Sequence, residues 1–222
     1  MKIGKRSWAS LGIMGMVLLT LSVQPALMDS RSWAEEKIAE AAPEIQVPKG
    51  TMDALTAILT RRSIREYTPH PVPDELIKLL LAAGITAPSA FNEQSTEFVV
   101  VDDRKILDEI AKFEAKRPQL KKATVAIVVC GNQAKEKNKG QGYWQLDGAV
   151  ASENILIAAN ALGLGAVWTA IYPFPDRIPK VQQLLNLPAD VIPLNIIPVG
   201  YPAEKELPEK PYDPARVHTN KW

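Results

Sequence analysis

The run "YWQLDGAVASENILIAANAL", Tyr143 to Leu162, limits the fold more than any other stretch. It is long, rich in alanine and apolar over most of a helix's circumference. Such a helix has no single solvent-facing stripe, so it belongs in the middle of a structure or in a subunit interface. Small residues at Gly148, Ala151, Ser152 and Ala158 let another helix approach closely. The rest of the chain must pack around this rod, and 222 residues, 46% hydrophobic, suffice for one domain with a real core.

The flanking segments mix helices and strands without strict βαβ alternation. "TMDALTAILT" places Met52, Leu55, Ile58 and Leu59 at helical spacing, with Thr51 as its expected cap. "PDELIKLLLAAG" starts at Pro73 with acids in its first turn and is expected to stop at Gly84. "EFVVVDD" reads as a strand and "RKILDEIAKF" as a helix. "ATVAIVVCG" is an almost continuous apolar strand, hence one covered on both faces. "NQAKEKNKGQG" reads as a solvated loop, with a substrate-gating lid as the alternative. "GLGAVWTA" is a strand, "DRIPKVQQLLNL" a helix and "VIPLNIIPVGYP" a strand whose Pro193 and Pro198 suggest an edge or irregular position. The last twenty residues lack periodicity and look like an extended arm that needs another surface. The pattern predicts an α+β layered domain.

The first residues stand apart from that domain. Lys2, Lys5 and Arg6 precede an uncharged apolar stretch, Leu11 to Val23. It falls short of the roughly 20 residues that span a bilayer as a helix. It fits the core of an export signal, with Ser32 and Ala34 at −3 and −1 of a cut before Glu35. Residues 1–34 are therefore read as a cleaved export signal, 35–50 as a linker and 51–222 as the domain. The mature protein would carry no membrane span and be periplasmic. An uncleaved anchor, or a cytoplasmic protein with a misassigned start, is the alternative. A net charge of +1 gives no reason to expect nucleic acid as a partner. The one cysteine, Cys130, lies among apolar neighbours and reads as a buried, inert thiol.

Familiar side-chain chemistry is missing. His70 lies between prolines and His218 in the tail, without metal-ligand spacing, so no metal site is expected. No nucleophile elbow or lysine-tipped phosphate loop occurs. No side chain is assigned as catalytic, and a bound cofactor is expected to carry any reaction.

Three stretches could hold one. In "ILTRRSIREY", Arg61, Ser63 and Arg65 would share one face of an extended segment, with Arg62 and Ile64 on the other. Guanidiniums flanking a hydroxyl make a cradle for an oxyanion; a solvated turn paired with Glu66 is the plain alternative. "TAPSAFNEQ" offers Pro88 and Ser89 to shape a turn and the amides of Asn92 and Gln94, which suit a flat heterocycle. "GLGAVWTAIYP" offers backbone N–H groups after Trp168, with Trp168 or Tyr172 as pocket walls or core.

In this order and at these spacings, RRSIREY, APSAFNEQ, DGAVASENILIAANALGLGAVW and PVGYPAEK resemble the nitroreductase family of FMN flavoproteins, over roughly residues 51–222. The resemblance implies a central mixed or antiparallel sheet flanked by helices, in an intertwined homodimer with FMN at the subunit interface. Arg61, Arg62, Ser63 and Arg65 would hold the phosphate and ribityl chain and reach the pyrimidine. Pro88, Ser89, Ala90, Asn92 and Gln94 would meet the flavin from the partner subunit. The backbone at Thr169, Ala170 and Ile171 would face flavin N5. Gly200 and a basic residue of the tail would complete the phosphate site, and the C-terminal arm would wrap the other protomer.

Two departures bear on the site. Relatives often carry an arginine shortly before a segment like "YDPARVH"; here Lys205 or Lys210 must substitute. Ala170 stands where some relatives carry an acid. The implied activity is two-electron hydride transfer from NAD(P)H, or another donor, to a nitroaromatic, quinone or similar small-molecule acceptor, in ping-pong order. A reductive dehalogenase or flavin-modifying enzyme on the same scaffold is an alternative, as is a non-catalytic flavin-binding protein. Lys5-Arg6-Ser7-Trp8 loosely resembles a twin-arginine signal, which would allow export after folding with FMN bound.

Overall fold

The computed structural model describes residues 45–113, 119–137, 141–203 and 211–222. The export segment, most of the 35–50 linker, and both Lys205 and Lys210 lie outside the described residues. In chain order the helices and strands are α1 (Ala54–Thr60), α2 (Asp74–Ile85), β1 (Thr96–Val101), α3 (Arg104–Phe113), α4 (Gln119–Lys122), β2 (Val125–Asn132), α5 (Tyr143–Ala161), β3 (Gly165–Ala166), β4 (Thr169–Ala170), α6 (Ile178–Leu184) and β5 (Val191–Gly200). Single 3-10 turns lie at Ala90–Asn92 and Pro214–Arg216. Among the described residues no helix is long and apolar enough to cross a membrane.

The five strands form one antiparallel sheet in the order β1-β2-β5-β3, with β4 also pairing β5. Alternation along β2 sorts the core. Val125, Ile127 and Val129 face a layer with Leu80 of α2 and Ile155, Leu156 and Ala159 of α5. Ala126, Val128 and Cys130 face the opposite layer with Leu107 and Ile110 of α3, Leu120 of α4 and Val181 of α6. The expected two-sided cover of β2 is thus present, and the class is α+β. Burial pushes the Cys130 thiol up to about 12, which keeps it protonated.

α5 lies against the sheet, burying Trp144, Gly148, Ala151, Ser152 and Ile155. A Cβ at Gly148 would stand 2.6 Å from Leu194 Cδ2, so glycine is what lets the helix come so near β5. Its other face leaves Leu146 and Val150 exposed.

Four local expectations are corrected. The cap of α1 is Asp53, whose carboxylate accepts from Thr56 N–H at 3.0 Å, while Thr51 Oγ1 donates to Pro48 O. α1 buries Ala57 and exposes Leu55, Ile58 and Leu59. α2 runs through Gly84, where a Cβ would meet Ile155 and Phe98 at 3.0 Å. β5 is central rather than an edge strand. Tyr67 Oη lies 3.2 Å from Pro198 O, and in an antiparallel strand a residue's C=O and N–H point the same way. The missing Pro198 N–H therefore faces away from β2, where neither β3 nor β4 pairs with that residue. The expected irregularity exists as a register shift beside Pro193, leaving Leu194 as an extra residue. The loop after β2 is also less solvated than expected. Glu136 is buried, and its carboxylate accepts from Trp144 N–H at 2.9 Å in the first turn of α5.

Candidate functional site

The arginine strip is built on the end of α1. Arg61 caps the helix, its N–H donating to Ala57 O at 3.0 Å, and then turns extended. Ser63 bridges Ala166 in parallel fashion, and Ile64 N–H donates to Ala166 O at 3.1 Å. Ile64 rests on Gly165, where a Cβ would stand 2.5 Å from Ile64 Cγ2. Tyr67 is buried, donates to Ile64 O at 2.6 Å and packs on Gly200. Gly165 and Gly200 face each other in the β3–β5 pair. The structure therefore brings Arg61, Arg62, Ser63 and Arg65 together with Gly200 along one margin of the sheet.

Each guanidinium is oriented. Arg61 Nε pairs with Glu153 Oε1 of α5 at 2.9 Å. Arg62 Nη1 donates to Leu59 O and Arg61 O, both at 2.9 Å, and Arg65 Nη1 to Ser63 O at 3.0 Å. Glu66 forms an ion pair with Lys122.

The second set sits on the loop between α2 and β1. Ala90 N–H donates to Asp147 Oδ1 at 2.9 Å, and Gln94 N–H to Ser89 Oγ at 3.0 Å. Phe91, Asn92 and Gln94 have φ of +52°, +54° and +50°. Three non-glycine residues in the left-handed region are costly, and such strain concentrates at functional sites. Pro88, Ser89, Gln94, Gly84, Phe98 and Asp147 line a cavity of about 190 Å³. This loop is tied to the first half of α5 through Asp147, and the arginine strip to the same helix through Glu153. The two anchors are six positions apart, about 9 Å along a helix.

The third set is β4. Thr169 pairs with Ile196 and Ala170 with Asn195. Ile171 N–H and Tyr172 N–H both donate to Leu194 O, at 3.0 and 2.9 Å, on the bulge of β5. The Ile171 amide is thus committed to the sheet, and the Thr169 amide, two residues along the same antiparallel strand, points the same way, so the amide of β4 that faces away from β5 is that of Ala170. Thr169 Oγ1 accepts from Gln119 Nε2 at 3.2 Å, and Ala170 O from Arg177 Nη1 at 2.9 Å. The Arg177 guanidinium lies 4.0 Å from the Phe174 ring centroid. Trp168 packs on the core, whereas Tyr172 meets Trp144 edge-on at 5.0 Å.

Sequence reasoning missed the supports: Asp147, Glu153, Gln119 and Arg177. Asp147 carried a signal, being an acid flanked by apolar and small residues in a mostly apolar helical run. The other three make contacts that only the tertiary fold brings about.

The nitroreductase family model matches residues 58–141 and 112–201. A Methanothermobacter thermautotrophicus protein, provisionally named NADH dehydrogenase/NAD(P)H nitroreductase, is 46% identical over 171 residues, covering 77% of this chain and 88% of that protein. A Parabacteroides distasonis crystal structure with the same provisional name is 47% identical, covers 76% of this chain and 98% of its own, and superposes with a TM-score of 0.71. A Desulfovibrio desulfuricans protein, provisionally named a nitroreductase and crystallised in complex with FMN, is 31% identical with a TM-score of 0.65, covering 77% and 98%.

Proposed function

The chain belongs to the nitroreductase family, and from that premise we propose that it passes electron pairs from NAD(P)H, or another donor, to a nitroaromatic, quinone or similar acceptor. It is an FMN-dependent oxidoreductase. The observation that carries this reading is the margin at Gly165 and Gly200, where the arginine strip is stitched to β3 and the end of β5.

The donor chemistry fits FMN. Three guanidiniums within five residues concentrate positive charge, and Ser63 adds a hydroxyl. A phosphate monoester brings close to two negative charges, and Arg binds it in a fork. Arg61, Arg62, Ser63 and Arg65 would hold the phosphate and ribityl end, with Gly200 allowing close approach. A lysine of the tail, Lys205 or Lys210, would complete that clamp. Pro88, Ser89, Ala90, Asn92 and Gln94 would contact the flavin of a partner protomer. The exposed Leu55, Ile58 and Leu59 of α1 and Leu146 and Val150 of α5 support such a homodimer, because apolar faces of this kind mark interaction surfaces.

When bound, FMN supplies the hydride chemistry. The protein's part is to bind, orient and set charge. A guanidinium beside the pyrimidine favours negative charge there, and so two-electron over one-electron steps. Ala170, whose backbone points off β5, would present its N–H to the reacting face, where donor and acceptor take turns. No side-chain base is needed for the hydride itself. The apolar stretch at 11–23 supports export, and Lys5-Arg6-Ser7-Trp8 with Gly12 and Gly15 supports a route that carries the folded, FMN-loaded protein; blocking twin-arginine translocation should then retain it in the cytoplasm.

The test is anaerobic mixing of the purified protein with NADH and NADPH, followed by a nitroaromatic or quinone. Bleaching of the flavin band, then its return with acceptor, is expected. A persistent band with every donor would leave a flavin binder without turnover.

A further inference from the structure

We propose that Asp147 is a positioning residue for the flavin site, its carboxylate holding the 88–94 loop in ligand-ready shape through the Ala90 N–H. The inference rests on the FMN reading above and deepens it.

Asp147 is the one charged residue between Tyr143 and Ser152 of α5, and it is only 6% exposed. A buried carboxylate is costly unless something repays its desolvation. Here the described partner is no cation but the Ala90 N–H at 2.9 Å. A carboxylate accepting from a backbone N–H makes a shorter, stronger bond than a neutral oxygen would.

The bonded amide opens the 3-10 turn that contains Phe91 and Asn92 and is followed by Gln94, the residues with positive φ. That shape persists only when its surroundings over-determine it. Three hydrogen bonds and a ring contact do so. Ser89 Oγ accepts from Gln94 N–H within the loop. Glu93 Oε1 accepts from Lys137 N–H at 3.0 Å. Phe91 also meets the Tyr143 ring of α5 edge-on at 5.6 Å, and Asp147 supplies the hydrogen bond that anchors the loop to that central helix. Its side chain also lines the cavity shared by Pro88, Ser89 and Gln94. Removing the carboxylate should let the loop relax away from its ligand-binding form while leaving the arginine strip intact.

The test is FMN affinity by titration of the apoprotein, with hydrogen exchange of the 86–95 backbone as a second readout. D147A should raise the FMN Kd about tenfold, as expected for loss of a charge-assisted bond, and speed exchange in the loop. D147N keeps an acceptor oxygen and should recover most of the affinity. A90P deletes the donor from the other side. Ser89, at φ −129° and ψ 148°, already has the conformation a following proline requires. A90P should match D147A, and the double variant should be no worse than either single. Three results would overturn the proposal: D147A within twofold of wild type, D147N as impaired as D147A, or single effects that multiply in the double variant. Should D147A fail to fold, A90P and D147N still decide. If wild-type protein takes up no FMN, the cofactor reading itself falls, and this inference with it; if it binds FMN and every variant binds equally well, only this inference falls.

Discussion

Arg61 Nε and Glu153 Oε1 lie 2.9 Å apart and join the end of α1 to the middle of α5. The Glu153 side chain is 48% exposed, so the pair adds little to stability. Its role is to aim a guanidinium. Arg61→Ala is expected to raise the FMN Kd about tenfold, the loss of a charge-assisted contact, while E153Q changes it less. Both should leave thermal stability nearly unchanged. Flavin fluorescence titration and thermal denaturation measure the two quantities, and an unaltered Kd in R61A would remove Arg61 from the clamp.

Gly165 carries Ile64, and through it the whole strip. A methyl at position 165 would stand 2.5 Å from Ile64 Cγ2. G165A should destabilise the fold by about 1–3 kcal/mol through overpacking, and it should weaken FMN binding by displacing Ser63 and Arg65. Adding I64A makes room and should recover part of both losses. Denaturant unfolding of the single and double variants decides whether this contact matters.

The Lys135 ammonium hydrogen-bonded to Glu97 holds that carboxyl below the usual glutamate range, with help from the Asn132 amide, against desolvation. A carboxyl whose folded value is depressed contributes stability above its unfolded value and loses it as pH falls through the folded one. The wild type should therefore lose more stability than E97Q on acidification below the ordinary glutamate range. The pair is partly exposed at 48% and 40%, so the difference is small and shrinks with salt. Melting temperatures of both proteins across neutral to acidic pH check it.

Much of this architecture was legible in the residues. α5 declared itself by being apolar all round, and β2 by an unbroken apolar run, because burial on both faces removes the need for polar alternation. The arginine strip and the 88–94 loop were visible as clusters. Their neighbours were not, because Glu153 and Asp147 reach them only once α5 is packed. β5 was half legible: its prolines suggest an edge or an irregular strand, and it is irregular beside Pro193 but central, because the missing Pro198 N–H falls where neither β3 nor β4 pairs. The spacing in α1 marked a helix, but not that it packs through Ala57 and leaves its leucines outward. Glu136 looked like loop polarity and proved to be a buried partner for the first turn of α5.

The account turns on phosphate recognition by Arg61, Arg62, Ser63 and Arg65. Comparing FMN with riboflavin in binding titrations of the apoprotein tests it most directly, since the two differ only in the phosphate. FMN should bind at least about 100-fold more tightly, as expected for two or more charge-assisted contacts, and rising salt should narrow the gap. Equal affinities, insensitive to salt, would contradict the account.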